Sequence, residues 1–144
     1  MNHPFFWSPE KRLEFLCDVS DHWEREVRDP PSRDLQILES HSRIVIGRRG
    51  DFLAELDRKF VDTLGKQRKY TGNRVLDLLR ALRNKKNHYA DMPLDVQERV
   101  GKLPTSYLRY WTTRFPKLLM ACYNSVTECG LQDESRFERY FKSS

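Results

Sequence analysis

The chain has 144 residues, 33% of them charged and 38% hydrophobic, with a formal net charge of +5 and a pI near 9.2. That length suits one domain with a real core, no run approaches the ~18 apolar residues of a membrane span, and the first residues do not read as a secretory leader. A basic balance fits a polyanionic partner without identifying one, and the cysteines Cys17, Cys122 and Cys129, odd in number and without metal-ligand spacing, read as core thiols in a reducing compartment.

The chain reads as helical nearly throughout. His3-Pro4-Phe5-Phe6-Trp7 is too apolar for a free terminus and is expected to pack against something, such as a domain preceding it in a longer chain. Ser8 can cap a first helix with Pro9 at its first position, where a missing N–H costs nothing. Leu13, Leu16 and Cys17 give that helix an apolar stripe, and Asp29-Pro30-Pro31 is expected to end it. Ser32 can cap a short helix bearing Leu35, Ile37 and Leu38. Arg43-Ile44-Val45-Ile46 is the only β-like run, an extended crossover or a lone strand, and one strand makes no sheet.

From Asp51 the spacing of Leu53, Leu56, Phe60, Val61 and Leu64 predicts an amphipathic helix ended by Gly65. Lys66 to Asn73 then reads as a basic linker carrying Tyr70 and Gly72. Asn73 can cap the next helix, in which Val75, Leu78, Leu79 and Leu82 share one face at about 100° per residue. Asp77, Arg80, Asn84 and His88 fall on the opposite face, toward solvent. Lys86 would fall on the buried side, so this helix is expected to loosen past Leu82 and leave Asn87 and His88 in or beside a loop. Pro93 opens a short helix with Val96 and Val100 inward. Thr105 can cap one bearing Tyr107, Leu108, Tyr110 and Trp111. Phe115-Pro116 turns into a last long helix with Leu118, Leu119, Cys122 and Val126, ended by Gly130, and Phe137, Tyr140 and Phe141 leave a tail apolar enough to dock. An all-α fold of about seven or eight helices follows, as a single domain over residues 1–144.

The chemistry gathers between Tyr70 and Tyr89. RNA carries its own nucleophile in the 2′-hydroxyl, so metal-independent cleavage asks a protein for three things: help in deprotonating that hydroxyl, neutralisation of the crowded phosphorane, and a proton for the departing 5′-oxygen. The last suits His88, because a free imidazole has a pKa near 6.5. The second suits Arg83, with Asn84 donating an amide hydrogen bond and Lys85 adding charge. For the first, Tyr70 serves either as a base or as a group that orients the hydroxyl. Lys69, Arg80, Lys85 and Lys86 add an RNA-binding surface. Taken alone, the same cations also describe an ordinary solvated helix face, and Trp7, Trp23 and Trp111 read as core or interface anchors. His3, His22 and His41 carry no catalytic expectation. No spacing suggests a metal site, and no glycine-rich loop suggests nucleotide binding. A non-catalytic RNA-binding module and a helical dimerisation module remain the alternatives.

Five words of sequence carry a resemblance: His3-Pro4-Phe5-Phe6-Trp7, Arg28-Asp29-Pro30-Pro31, Asp77-Leu78-Leu79-Arg80-Ala81-Leu82-Arg83-Asn84-Lys85, His88-Tyr89 and Arg114-Phe115-Pro116-Lys117-Leu118-Leu119. In this order, over almost the whole chain, they resemble the kinase-extension nuclease domain. That is the C-terminal ribonuclease module of the inositol-requiring enzyme, the sensor of the unfolded-protein response, shared more distantly with RNase L. The Arg-Asp-Pro-Pro segment looks most like fungal members. The resemblance implies that Tyr70, Arg83, Asn84 and His88 form the nuclease site, with His88 the general acid, Tyr70 the proposed general base and Arg83 with Asn84 the phosphate-binding pair. Many members carry two adjacent histidines where this chain has Asn87 and His88, and the catalytic one is the second. It further implies RNA hairpins of a stress-response transcript as substrate, activation as a homodimer or higher oligomer, and a kinase domain earlier in the same chain. The nuclease module would need no cofactor, ATP or ADP and Mg belonging to the kinase. The parent would be a single-pass protein of the endoplasmic reticulum with this soluble module on the cytosolic face, making no direct membrane contact.

Overall fold

Helices start where the sequence supplies capping chemistry. In the computed structural model, which describes residues 3–65 and 69–142, the Ser8 and Ser32 hydroxyls each accept an N–H three residues on, from Lys11 and Leu35, at 3.1 Å. They open α1 (Pro9–Glu24) and α2 (Arg33–Glu39). There follow α3 (Ser42–Ile46), α4 (Arg58–Asp62), α5 (Val75–Asn87), α6 (Leu94–Val100), α7 (Thr105–Arg114), α8 (Leu118–Glu128) and α9 (Glu138–Phe141). Short 3-10 turns occupy Pro4–Phe6, Phe52–Glu55 and Tyr89–Asp91, and no strand occurs among the described residues. None of these helices is long and apolar enough to cross a membrane.

The fold is built around α5, which packs against α1, α2 and α3, while α1 also lies against α7 and α8. Val75, Leu76, Leu78, Leu79, Ala81 and Leu82 are all buried, so α5 is apolar on more than one side. Burying each large side chain of this kind stabilises the fold by about 1.5–3 kcal/mol. Trp7, Trp23 and Trp111 are core residues, and the Trp23 indole donates to the Asp34 carbonyl at 2.8 Å, tying α1 to α2. The tail docks: Phe137 and Tyr140 are buried, and the Tyr140 ring lies 5.0 Å from that of Phe15. Cys17 and Cys122 are buried thiols and Cys129 is half-buried; burial pushes Cys17 up to about 12 and Cys122 higher still.

Several boundaries differ from the sequence reading. α1 ends at Glu24, before the Asp29-Pro30-Pro31 turn. Arg43 to Ile46 is helical, because the described residues offer no partner strand to take its backbone groups and a helix pairs them internally: Val45 N–H donates to the His41 carbonyl, Gly47 N–H to that of Arg43. The expected helix from Asp51 is broken at Leu56, whose backbone is extended. There the Asp57 N–H donates to the Tyr110 hydroxyl at 2.9 Å, a tertiary bond in place of a helical one. Thr105 is the first residue of α7, preceded by Pro104 at the cap position. α5 runs on to Asn87: Lys86 is only half-buried and lines a groove that also borders Glu14 and Cys17, so a lysine on that side does not break the helix.

Candidate functional site

The Tyr70 segment is fastened before it reaches α5. The Phe52 N–H donates to the Gly72 carbonyl at 2.8 Å and the Thr71 N–H to the Asp77 carboxylate at 2.7 Å. A Cβ on Gly72 would lie 2.1 Å from the Asp51 side chain, so the close approach of these two loops requires glycine. The linker positions Lys66, Gln67 and Arg68 lie outside the described residues.

Tyr70, Asn84 and Arg83 form one hydrogen-bonded chain. The Asn84 amide nitrogen donates to the Tyr70 hydroxyl at 2.9 Å, and the Asn84 carbonyl oxygen accepts from Arg83 Nη2 at 3.0 Å and Nε at 3.3 Å. Arg83 also donates from Nη1 to Asp21 and from Nη2 to Glu24, the latter at 2.6 Å. Burial disfavours the charged guanidinium, yet its hydrogen bonds to Asp21 and Glu24 outweigh that and hold Arg83 above its ordinary range. Arg80 extends the network, 3.3 Å from Glu24 and 2.9 Å from Asp77, with its guanidinium carbon 5.5 Å from the centre of the Tyr70 ring.

His88 stands apart from the other three. It caps the end of α5, its N–H donating to the Asn84 carbonyl at 3.0 Å, and its imidazole, 62% exposed, has Nδ1 3.4 Å from Asp91. No side-chain hydrogen bond links it to Tyr70, Arg83 or Asn84 among the described residues. It lies one turn beyond Asn84, about 5–6 Å of rise. The cations divide as well. Lys69 and Arg80 border one large cavity, Lys85 donates to the Thr63 carbonyl, and Lys86 borders a separate groove with Asp18 and Asp21.

Two placements depart from the sequence reading. Asp77 and Asn84 were expected to face solvent, but only 7% and 8% of their surfaces are exposed. α5 is enclosed on several sides, so these two polar groups lie inside the fold and are satisfied there, Asp77 by Thr71 and Arg80, Asn84 by Tyr70 and Arg83. The sequence reading also missed Asp21 and Glu24, which orient Arg83. They lie three residues apart on one ridge of α1, but nothing local identifies their partner. The two guanidiniums of the cluster therefore sit among three carboxylates, which outnumber them, so the cluster itself carries no surplus of positive charge.

Beside the cluster opens a cavity of about 910 Å³ between the end of α1, the Arg28–Pro31 turn, α2 and the start of α5. It shares Glu24, Asp77 and Arg80 with the network just described. Elsewhere, ligating atoms of His22, Glu26 and Asp34 lie within 4.8 Å of one another. This grouping was invisible to spacing because Asp34 comes from α2. It shares no residue with the Tyr70 cluster, and burial lowers the His22 pKa.

Relatives of this chain are long proteins. It is 59% identical over 142 residues to the serine/threonine-protein kinase/endoribonuclease IRE1 of Hypocrea jecorina, covering 99% of this chain and 11% of that protein. It is 58% identical to the serine/threonine-protein kinase/endoribonuclease ireA of Aspergillus fumigatus, over 96% of this chain and 12% of the relative. It is 48% identical to the sensor for unfolded proteins in the ER, ire1, of Schizosaccharomyces pombe, over 99% and 13%. The chain thus spans about a tenth of the length of these relatives. The sequence profile of ribonuclease 2-5A matches residues 12–141, from the first turns of α1 to the last residue of α9, and the chain belongs to that family.

Proposed function

We propose that this chain is an endoribonuclease domain that cuts hairpin RNA by attack of the RNA's own 2′-hydroxyl, within a longer kinase and nuclease protein of the unfolded-protein response. The observation that carries the reading is the hydrogen-bonded chain of Tyr70, Asn84 and Arg83, with His88 exposed one turn further along α5, in a member of the ribonuclease 2-5A family. The names of the relatives, kinase/endoribonucleases and a sensor of unfolded proteins in the ER, support the setting.

The chemistry assigned to these groups balances without a metal. Tyr70 faces the 2′-hydroxyl and either takes its proton as the base or orients it while solvent water takes the proton. The 2′-oxygen attacks phosphorus, the bond to the 5′-oxygen breaks, and His88 gives that oxygen its proton. Arg83, tied to Asp21, Glu24 and Asn84, retains one Nη1 N–H, and Asn84 retains one amide N–H. These are the donors for a non-bridging phosphate oxygen, held in fixed directions before substrate arrives. The products are a 2′,3′-cyclic phosphate and a 5′-hydroxyl. RNA hairpins of a stress transcript, a homodimer or higher oligomer as the active form, a kinase domain in the same chain and a place on the cytosolic face of the endoplasmic reticulum complete the proposal. The nuclease domain takes no cofactor and touches no membrane.

The test is incubation of a hairpin RNA with the chain in excess EDTA, followed by analysis of the product ends. Cyclic phosphate and 5′-hydroxyl ends, formed at a rate per chain that rises with protein concentration, are expected. Loss of cleavage on chelation, or 5′-phosphate ends, overturns the mechanism.

A further inference from the structure

We infer that the cavity beside the Tyr70 cluster seats a second ribonucleotide of the bound strand, adjacent to the cleaved linkage, with its phosphate on Lys69 and Arg74. This rests on the nuclease reading above and gives the Arg28-Asp29-Pro30-Pro31 turn, otherwise without a role, a function as the cavity wall. Three observations converge on it.

The first is continuity. Arg80 borders the cavity and also lies over the Tyr70 ring, and Glu24 binds both Arg80 and Arg83. One ion-paired unit therefore forms the cavity wall and holds the candidate cleavage site, so a strand on one reaches the other.

The second is the lining. Val27, Pro31, Leu35 and Leu76 supply an apolar surface, and Val27 is 58% exposed. A flat base buries its face well against such a wall. The volume, about 910 Å³, lies within the range of pockets that take small organic ligands.

The third is unspent charge. Most ionic groups of the cavity are committed: Arg80 to Glu24 and Asp77, Arg28 to Glu26, and Glu39 to the N–H groups of Val75 and Leu76. Lys69 and Arg74, both exposed, make no side-chain hydrogen bond or ion pair among the described residues. Two exposed cations that no hydrogen bond or ion pair ties down among the described residues, at the mouth of an apolar cavity, suit a phosphodiester. Asp29, also on the lining, offers only acceptors and suits a sugar hydroxyl or a base amine.

The experiment uses a hairpin RNA 2′-O-methylated throughout, which binds but lacks the nucleophile, with affinity followed by fluorescence anisotropy across a salt series. Lys69→Ala and Arg74→Ala should each weaken binding about 3- to 10-fold and lower the slope of log Kd against log salt by roughly one. Val27→Trp, which fills the cavity, should weaken binding with the slope retained. Arg109→Ala, an exposed cation of α7 away from the cavity, serves as the control for net charge and should keep the wild-type slope. With an unmodified hairpin in single turnover, Arg74→Ala should raise the half-saturating protein concentration while keeping the rate at saturation. Thermal melting confirms that each variant is folded. If the wild type cuts while Lys69→Ala and Arg74→Ala bind like Arg109→Ala, the subsite is overturned and the nuclease reading stands. If the wild type binds the methylated hairpin but does not cut the unmodified one, the nuclease reading fails instead.

Discussion

Glu39 of α2 caps α5 from outside it: one carboxylate oxygen accepts the Val75 N–H at 2.8 Å and the other the Leu76 N–H at 2.9 Å. A helix leaves its first N–H groups without partners, and a negative group there also complements the helix dipole. Asn73 is the local residue with capping chemistry, yet the cap position is Arg74, and among the described residues of the linker no side chain caps the helix. One carboxylate thus sets both the start of the helix that carries Arg83 and Asn84 and its register against α2.

Glu39→Ala should destabilise the chain by about 1–2 kcal/mol in urea unfolding, since it leaves two N–H groups at a partly buried helix start without acceptors. The pH dependence has a definite sign. Burial raises the Glu39 pKa above its ordinary 4.5, opposed by the two backbone hydrogen bonds. The unfolded chain therefore releases this proton first, and the contribution of Glu39 to stability, full at lower pH, falls as pH rises through the folded value. Glu39→Gln lacks that titration. The stability of the wild type relative to Glu39→Gln should decline as pH rises from 4.5 upward, and a constant difference would contradict the assignment.

His88→Ala should abolish cleavage of a hairpin while leaving salt-dependent RNA binding nearly intact. The imidazole is 62% exposed, so stability should change by no more than about 0.5 kcal/mol. Equal loss of cutting and binding would favour the RNA-binding module instead.

Asn84→Ala removes the amide that joins Tyr70 to Arg83 and one donor assigned to the phosphate. Cleavage at saturating RNA should fall about 10²- to 10³-fold. A variant that melts like the wild type and still cuts at the wild-type rate would remove Asn84 from the site.

Glu24→Gln keeps an acceptor for Arg80 and Arg83 but removes one of the carboxylates around them. RNA affinity at low salt should rise about 3-fold, with the gain shrinking as salt increases. Weaker binding would mean that orientation of Arg83 by the full charge matters more than local potential.

Helix starts at Ser8 and Ser32 were legible because a cap is chemistry between residues three apart. The apolar face of α5 was legible for the same reason, as a period within one segment. The break at Leu56 was not, because it depends on Tyr110, far along the chain, taking the Asp57 N–H. Nor was the helicity of Ser42–Ile46: β-branched residues favour a strand, but a strand needs a partner and the described residues supply none.

At the site, Tyr70, Arg83, Asn84 and His88 could be named from residue type and from a resemblance carried by contiguous words. That Asn84 is buried between Tyr70 and Arg83, and that Asp21 and Glu24 hold the guanidinium, depends on α1 crossing α5. The sequence by itself determined the helical class, the caps and the identity of the reactive groups, because these arise from neighbours along the chain. Only the tertiary structure decided which charges are spent on one another, as Arg80 and Arg83 are on Asp21, Glu24 and Asp77, because ion pairing depends on distance in space.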